Sequence, residues 1–376
     1  MKTEQTECSQ KDKSQNKATI GLLGNIKNIG LIGGLVVFLL ACNGDEPSPY
    51  MATPANLDVP DLFANSILPP QIPNDNPLTV EGIALGKTLF YDPILSANNT
   101  HACASCHLPS QAFSDPNPFS VGIDGSLGTR NSMPLFNLAW HDRGPLNWDG
   151  SARNLEEQIF EPVTNPIEMA NTWPNAVQSL QNSGIYPELF DAAFGTTQID
   201  SVMVSKAIAQ FVRTLISGNS KFDRHLLGLE ELSQEEARGL NIFLDETRGD
   251  CFHCHGNPGN PLWTDNRFHN NGLDAFFEDR GLGAVTGDPR DDGLFRTPSL
   301  RNLSFTAPYM HDGRFSTLDE VIDHYSEGLV YSETISPLMK SVADGGVQLT
   351  AEEKSDLKAF LLSLSDESFL TNPDYQ

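Results

Sequence analysis

Two five-residue strings constrain this chain more than anything else in it: Cys103-Ala104-Ser105-Cys106-His107 and Cys251-Phe252-His253-Cys254-His255. Cys-x-x-Cys-His is the attachment pattern of c-type haem. Two thiols add across the vinyl groups of one porphyrin, and the adjacent imidazole is then held where it can bind the iron. The strings begin 148 residues apart. Zinc ribbons place their Cys pairs far closer, and a redox Cys-x-x-Cys belongs in an α/β pattern that this chain lacks. The expectation is two covalently bound haem c groups, with His107 and His255 as proximal iron ligands and His253 as a spacer.

The remaining cysteines, Cys8 and Cys42, lie near the start. A lysine-bearing stretch is followed by the apolar run Ile29 to Ala41 and then Cys42. Basic region, short apolar run and small residue form an export signal too short for a dependable membrane span. Leu39-Leu40-Ala41-Cys42 further predicts a lipoprotein-type signal over residues 1–41, with Cys42 lipidated and the protein anchored to a membrane in the periplasm. A plain secretory peptide and an uncleaved anchor are the competing readings. Loss of residues 1–41, with five lysines against three acidic residues, takes the net charge from −25 to −27. Such a surface excludes nucleic acid, whose phosphates need Lys and Arg. It suits a basic electron carrier, though it also suits simple solvation.

Residues 42–77 are rich in Pro, Asn, Asp and Ser and read as a flexible tether. The rest is long enough for two domains, placed at 78–230 and 231–376. Capping boxes open helices at Ser233-Gln234-Glu235-Glu236, Thr317-Leu318-Asp319-Glu320 and Thr350-Ala351-Glu352-Glu353. Val204, Ala207, Ile208, Phe211, Val212 and Leu215 mark an amphipathic helix over about 201–217. Strand-like alternation is nearly absent. The long loops at about 108–148 and 255–306 suit a helical domain only if something other than side chains supplies core, and a haem does so. The fold class is mainly α, with two cytochrome c-like domains each holding one haem and packed around an interface.

Beyond the haem motifs the chain resembles the bacterial di-haem cytochrome c peroxidase family, which includes the methylamine-utilisation enzyme MauG. The resemblance spans about 85–364. It rests on Leu85-Gly86-Lys87-Thr88-Leu89-Phe90-Tyr91-Asp92-Pro93, Ser120-Val121-Gly122, Thr129-Arg130-Asn131, Asn147-Trp148-Asp149-Gly150 and Leu155-Glu156-Glu157-Gln158. Further marks are Asn165-Pro166-Ile167-Glu168-Met169, Arg296-Thr297-Pro298-Ser299-Leu300-Arg301-Asn302 and Pro308-Tyr309-Met310-His311-Asp312-Gly313. The resemblance implies that the N-terminal haem reacts with peroxide. It makes Glu168 a distal carboxylate that shuttles a proton between the peroxide oxygens, and Gln158 a distal amide that orients peroxide or water. Trp148 would relay electrons between the haems. Asn131, with the carbonyls of Thr306 and Pro308, would hold a Ca2+ ion between the domains. Read alone, Glu168 is equally a helix-start carboxylate, and Trp148 a core residue beside a turn.

Two positions set the subtype. Peroxidases of the family carry a His that ligates the first iron where this chain has Ile123, so the first iron should be open; His101 and His141 read as loop histidines. Where the peroxidases place a Met ligand on the second iron, and MauG a tyrosine, this chain has Tyr325. A phenolate is a hard donor that stabilises ferric iron. Tyr325 is otherwise a core aromatic, with Met310, Met339 or His324 as the ligand, and His311 a partner for a propionate or backbone. The expected function is reduction of hydrogen peroxide with electrons from a small redox protein, a cytochrome c or cupredoxin, entering through the C-terminal haem. The alternatives are a MauG-like oxidase acting on a protein or small molecule, and a non-catalytic electron-transfer lipoprotein. A homodimer is compatible with each.

Overall fold

A computed structural model of the protein describes residues 50–141 and 145–376. The expected signal and Cys42 lie outside the described residues, among which no helix is long and apolar enough to cross a membrane. The first half carries α1 (Asp61–Ser66), α2 (Val80–Tyr91), α3 (Leu155–Gln158), α4 (Phe160–Thr164), α5 (Trp173–Gln181), α6 (Tyr186–Phe194) and α7 (Ser201–Thr214). The second carries α8 (Lys221–Leu226), α9 (Gln234–Leu244), α10 (Phe252–His255), α11 (Leu282–Thr286), α12 (Leu318–Glu327), α13 (Ala351–Leu362) and α14 (Glu367–Leu370). One antiparallel pair, β1 (Phe268–His269) with β2 (Phe295–Arg296), is the only named sheet among the described residues. The mainly helical expectation is met.

Each predicted capping box forms: Ser233, Thr317 and Thr350 accept from the backbone N–H three residues on, and Glu236, Glu320 and Glu353 reach back. The amphipathic helix expected over 201–217 is α7, capped by Asp200 and stopping at Thr214. Helix α9 ends at Leu244, and a tight turn brings the Cys251 N–H to the Phe243 carbonyl at 3.1 Å.

Buried apolar residues form two main clusters. In the first, α2 packs against α7 around Leu85, Leu89, Phe90, Ala207 and Phe211. In the second, α9 packs against α13 around Phe222, Phe243, Trp263 and Phe360. Both crossings depend on a glycine. A Cβ on Gly86 would lie 1.9 Å from the Ala207 carbonyl oxygen, and one on Gly239 2.0 Å from that of Asp356.

The long loops are held by charge as well as by packing. Arg130 in the first loop bonds Asp149 at 2.5 Å and, from the second, Asp279 at 2.6 Å. Arg301 is fully buried and forms a two-pronged pair with Asp223 on α8 at 2.6 and 2.7 Å.

Residues 50–77, the described part of the segment that composition reads as a tether, pack onto the rest of the fold. They dock through a few large anchors: Leu62 and Phe63 are buried on α1, and Phe63 meets Trp140 edge-on at 5.0 Å. Backbone bonds Ala55 to Leu78 and Val80 to Thr53 fold the segment onto the start of α2. Such anchors have no periodicity for a sequence pattern to reveal. The C-terminal end is also unlike its neighbours, since Phe369 and Tyr375 pack in the first cluster rather than the second.

Overpacking a helix crossing costs roughly 1–3 kcal/mol, sometimes more. Gly86→Ala and Gly239→Ala should each lower stability by about that much in denaturant unfolding. Gly184→Ala, with nothing within 4 Å of the new Cβ, should leave it unchanged.

Candidate active site: two cavities and a shared wall

The first haem motif lines a cavity of about 310 Å³. One water needs about 10–15 Å³, so the space suits a large group. Cys103, Cys106 and His107 form one side. His107 Nδ1 lies 3.0 Å from the Phe113 carbonyl oxygen. A carbonyl can only accept, so Nδ1 carries the hydrogen and Nε2 keeps its lone pair for a metal. Burial lowers the His107 pKa, which holds the ring in its neutral, ligating form. Both thiols are free, and burial pushes Cys103 up to about 12.

Glu168, Gln158, Glu161 and Asn165 line the same cavity. Gln158 ends α3, and Glu161 lies in the first turn of α4. Glu168 follows α4 in a turn and is half-buried. Its Oε1 accepts from Asn165 Nδ2 at 2.8 Å. The Glu168 pKa is raised first by burial and then by the charge of Glu161, with the Asn165 bond opposing. Glu161 is itself raised by burial and by Asp149. The turn bearing Glu168 is clamped to the loop at 120–123: Ile123 N–H donates to the Glu168 carbonyl at 3.0 Å, and Gly122 lies so close to the Ile167 carbonyl that a Cβ would sit 1.5 Å away.

Ile123 does not line the cavity. His101 does, but both its ring nitrogens are engaged, with Thr100 Oγ1 at 2.8 Å and the Val121 carbonyl at 3.1 Å. His141 lies outside this wall and has its Nδ1 3.2 Å from Asn266 Oδ1.

The second motif lines another cavity, of about 220 Å³, with Cys251, Cys254 and His255 on its wall. His255 Nδ1 is buried without a hydrogen-bond partner, and burial pushes the ring's pKa down to about 4. Tyr325 on α12 and the sulfur-bearing Met310 and Met339 also line it. Asn271 Nδ2 reaches two of the candidate ligands at once, donating to Tyr325 Oη at 3.2 Å and Met310 Sδ at 3.5 Å. Burial raises the Tyr325 hydroxyl to about 12. His324 is turned away, with Nε2 3.1 Å from the Asn271 carbonyl. His253 pairs with Asp250 at 2.8 Å outside the wall, as a spacer should. His311 stacks on Phe295 at 3.7 Å and faces the cavity.

Asn131, Pro134, Trp148 and Arg296 line both cavities. Trp148 is buried, and its indole N–H donates to the Asn131 carbonyl at 2.8 Å. Asn131 N–H donates in turn to the His311 carbonyl at 2.7 Å, and its side-chain amide to those of Asn117 and Pro118 at 3.0 and 3.4 Å. Thr306 and Pro308 lie on the wall of the second cavity.

Arg296 stands in one of the motifs that carry the resemblance, but the sequence assigned it no role. It is buried, pairs with no carboxylate among the described residues, and has an orphaned Nε. Its contacts are weak acceptors: Asn266 Oδ1 at 3.2 Å, His141 Nδ1 at 3.4 Å and Met133 Sδ at 3.4 Å. Burial lowers its pKa to about 10. A buried guanidinium of this kind calls for an anion, and the propionates of a haem supply one. Paired thiols, a neutral imidazole and this cation fit a haem in each cavity. The motif that Arg296 opens gave no role for it, because neither burial nor a missing partner can be read from an arginine in a sequence.

Residues 80–231 match the family model described as di-haem cytochrome c peroxidase. The chain is 38% identical over 295 residues to the methylamine utilization protein MauG of Methylophilus methylotrophus, covering 78% of this chain and 84% of that protein. It is 34% identical over 360 residues to cytochrome-c peroxidase IdrP1 of Pseudomonas sp. (strain SCT), covering 86% and 91%. Among solved structures, a MauG-like protein associated with microbial copper homeostasis matches with a TM-score of 0.77 at 36% identity, covering 86% of this chain and 99% of that one.

Replacing Cys251 and Cys254 together by Ala should leave one covalent haem instead of two, read from the intact mass of the exported protein. The Cys103/Cys106 double variant should do the same at the other site.

Proposed function

The chain belongs to the di-haem cytochrome c peroxidase family, to which MauG also belongs, and on that premise we propose that this oxidoreductase reduces hydrogen peroxide to water in the periplasm. The observation that carries the reading is Glu168, a half-buried carboxylate on the cavity walled by Cys103, Cys106 and His107. A haem held by those residues would supply the redox chemistry that reduces peroxide, with electrons delivered from outside. The carboxylate of Glu168 takes the proton from the near oxygen of peroxide and hands it to the far one, so that the far oxygen leaves as water. The Asn165 amide aims that carboxylate, and the Gln158 amide orients the peroxide. A pure electron carrier needs no such acid.

Electrons enter from a cytochrome c or cupredoxin through the site at His255 and cross at Trp148, whose indole belongs to both cavity walls. Residues 78–230 carry the peroxide-reacting site and 231–376 the electron-delivering one. Asn131 with the carbonyls of Thr306 and Pro308 would hold Ca2+, and a lipid on Cys42 would tether the protein to a membrane. Tyr325, its hydroxyl bonded by Asn271, would be the second ligand of a haem held at His255.

A MauG-like oxidase is the second reading, in which peroxide drives oxidation of a protein or small molecule. It is favoured by Tyr325 on the second cavity and by Ile123 outside the first. Steady peroxide turnover with a reduced small cytochrome supports the peroxidase. Peroxide reactivity without that turnover favours the oxidase.

Glu168→Gln should slow peroxide cleavage about a hundredfold or more, since it removes the proton shuttle; stopped-flow mixing with peroxide reads this directly. Glu168 must be ionised to accept the first proton, and its pKa is raised by burial and by Glu161. The rate should therefore fall on the acid side at a pH above the ordinary glutamate range. Glu161→Gln removes a neighbouring negative charge and should shift that acid limb to lower pH.

A further inference from the structure

Phe113 holds the imidazole of His107 through its carbonyl, yet its own backbone is unfavourable. Ala112 and Phe113 both adopt positive φ, at +49° and +61°, a region that residues with a Cβ rarely enter. Such a conformation persists where surrounding packing over-determines it. Leu108 and Ser114 pair across the loop, and Phe113 N–H donates to the Leu108 carbonyl at 2.8 Å. The Phe113 ring is fully buried against two others: Phe90 of α2 at 5.9 Å and Phe369 of α14 at 5.7 Å.

Phe369 comes from the far end of the chain. Leu364, five residues earlier, is buried in the second cluster, whereas Phe369 is buried in the first. Asp366 makes the crossing rigid. Its Oδ2 accepts from the backbone of Gly218 and Asn219 at 3.0 and 2.9 Å, and its Oδ1 from Phe369 N–H at 3.2 Å. Beyond it Tyr375 packs on Phe369 at 5.3 Å and accepts a bond from Tyr91 through its carbonyl. Lys87 Nζ donates to the Pro373 carbonyl at 3.3 Å.

We propose that residues 366–376 form a clasp on the ligand side of the first site, in which Phe369 is a positioning residue. It holds Phe113 in its left-handed conformation and so fixes the hydrogen bond that orients and polarises His107. The clasp is a mechanical link between the halves of the molecule that is separate from Trp148. It rests on the reading of His107 as an iron ligand.

The test is the iron–imidazole stretching band in the resonance Raman spectrum of the reduced holoprotein, assigned by its loss in His107→Gly. A carbonyl that accepts from Nδ1–H makes the ring a stronger donor. Phe369→Ala should therefore move the band to lower frequency, while Phe369→Leu, which keeps the ring pocket filled, should retain most of the wild-type position. Truncation after Asn372 removes Tyr375 and should give a smaller shift in the same direction. It decides the matter if Phe369→Ala does not accumulate. A merely structural role would lower the melting temperature and leave the band in place. An unmoved band in the variants overturns the clasp, and a wild-type spectrum without a His107 band overturns both the clasp and the ligand reading.

Discussion

The hydrogen bond from the Trp148 indole to the Asn131 carbonyl, 2.8 Å long, joins two residues of the wall that both cavities share. Much of the surrounding loop structure is arranged to keep it in place. Arg130, one residue before Asn131, grips Asp149, one residue after Trp148, and reaches across to Asp279. Arg296 N–H donates to the Trp148 carbonyl at 2.9 Å, which brings β2 onto the same wall. Loops of this length have too little regular hydrogen bonding to hold themselves, and these partly buried ion pairs supply part of the order. Loss of either long loop would open both sites at once.

The two cavities differ chemically although each begins with the same attachment motif. The first collects carboxylates, Glu161 and Glu168, that hold protons more tightly than usual, and it places no unengaged histidine opposite His107. The second collects soft and aromatic groups, Met310, Met339, Tyr325 and the His311–Phe295 stack. This difference supports the proposal that proton chemistry belongs to the first and electron entry to the second. Arg296 lies between them as a buried positive charge that answers to neither side through a carboxylate.

Much of this was legible in the sequence because its signals are local. The capping boxes at Ser233, Thr317 and Thr350 involve residues three apart, and the haem motifs five consecutive residues. Glu168, Gln158 and Trp148 could be assigned roles only through resemblance to a family, and they do line the first cavity. What stayed hidden depends on contacts distant in the chain. Residues 50–77 read as a tether because Leu62 and Phe63 are isolated anchors. Phe369 gave no signal, because its partner Phe113 is 256 residues away. Asn271 gave no signal at all, since its reach to both Tyr325 and Met310 is a property of the folded cavity.

The central claim is that two identical attachment motifs carry unequal irons, one open and one closed. Electron paramagnetic resonance of the fully ferric protein tests it most directly. The account predicts one high-spin signal, from the haem at His107, beside one low-spin signal from the haem at His255. Two low-spin signals would contradict it, because an internal ligand would then occupy the position that Ile123 leaves free.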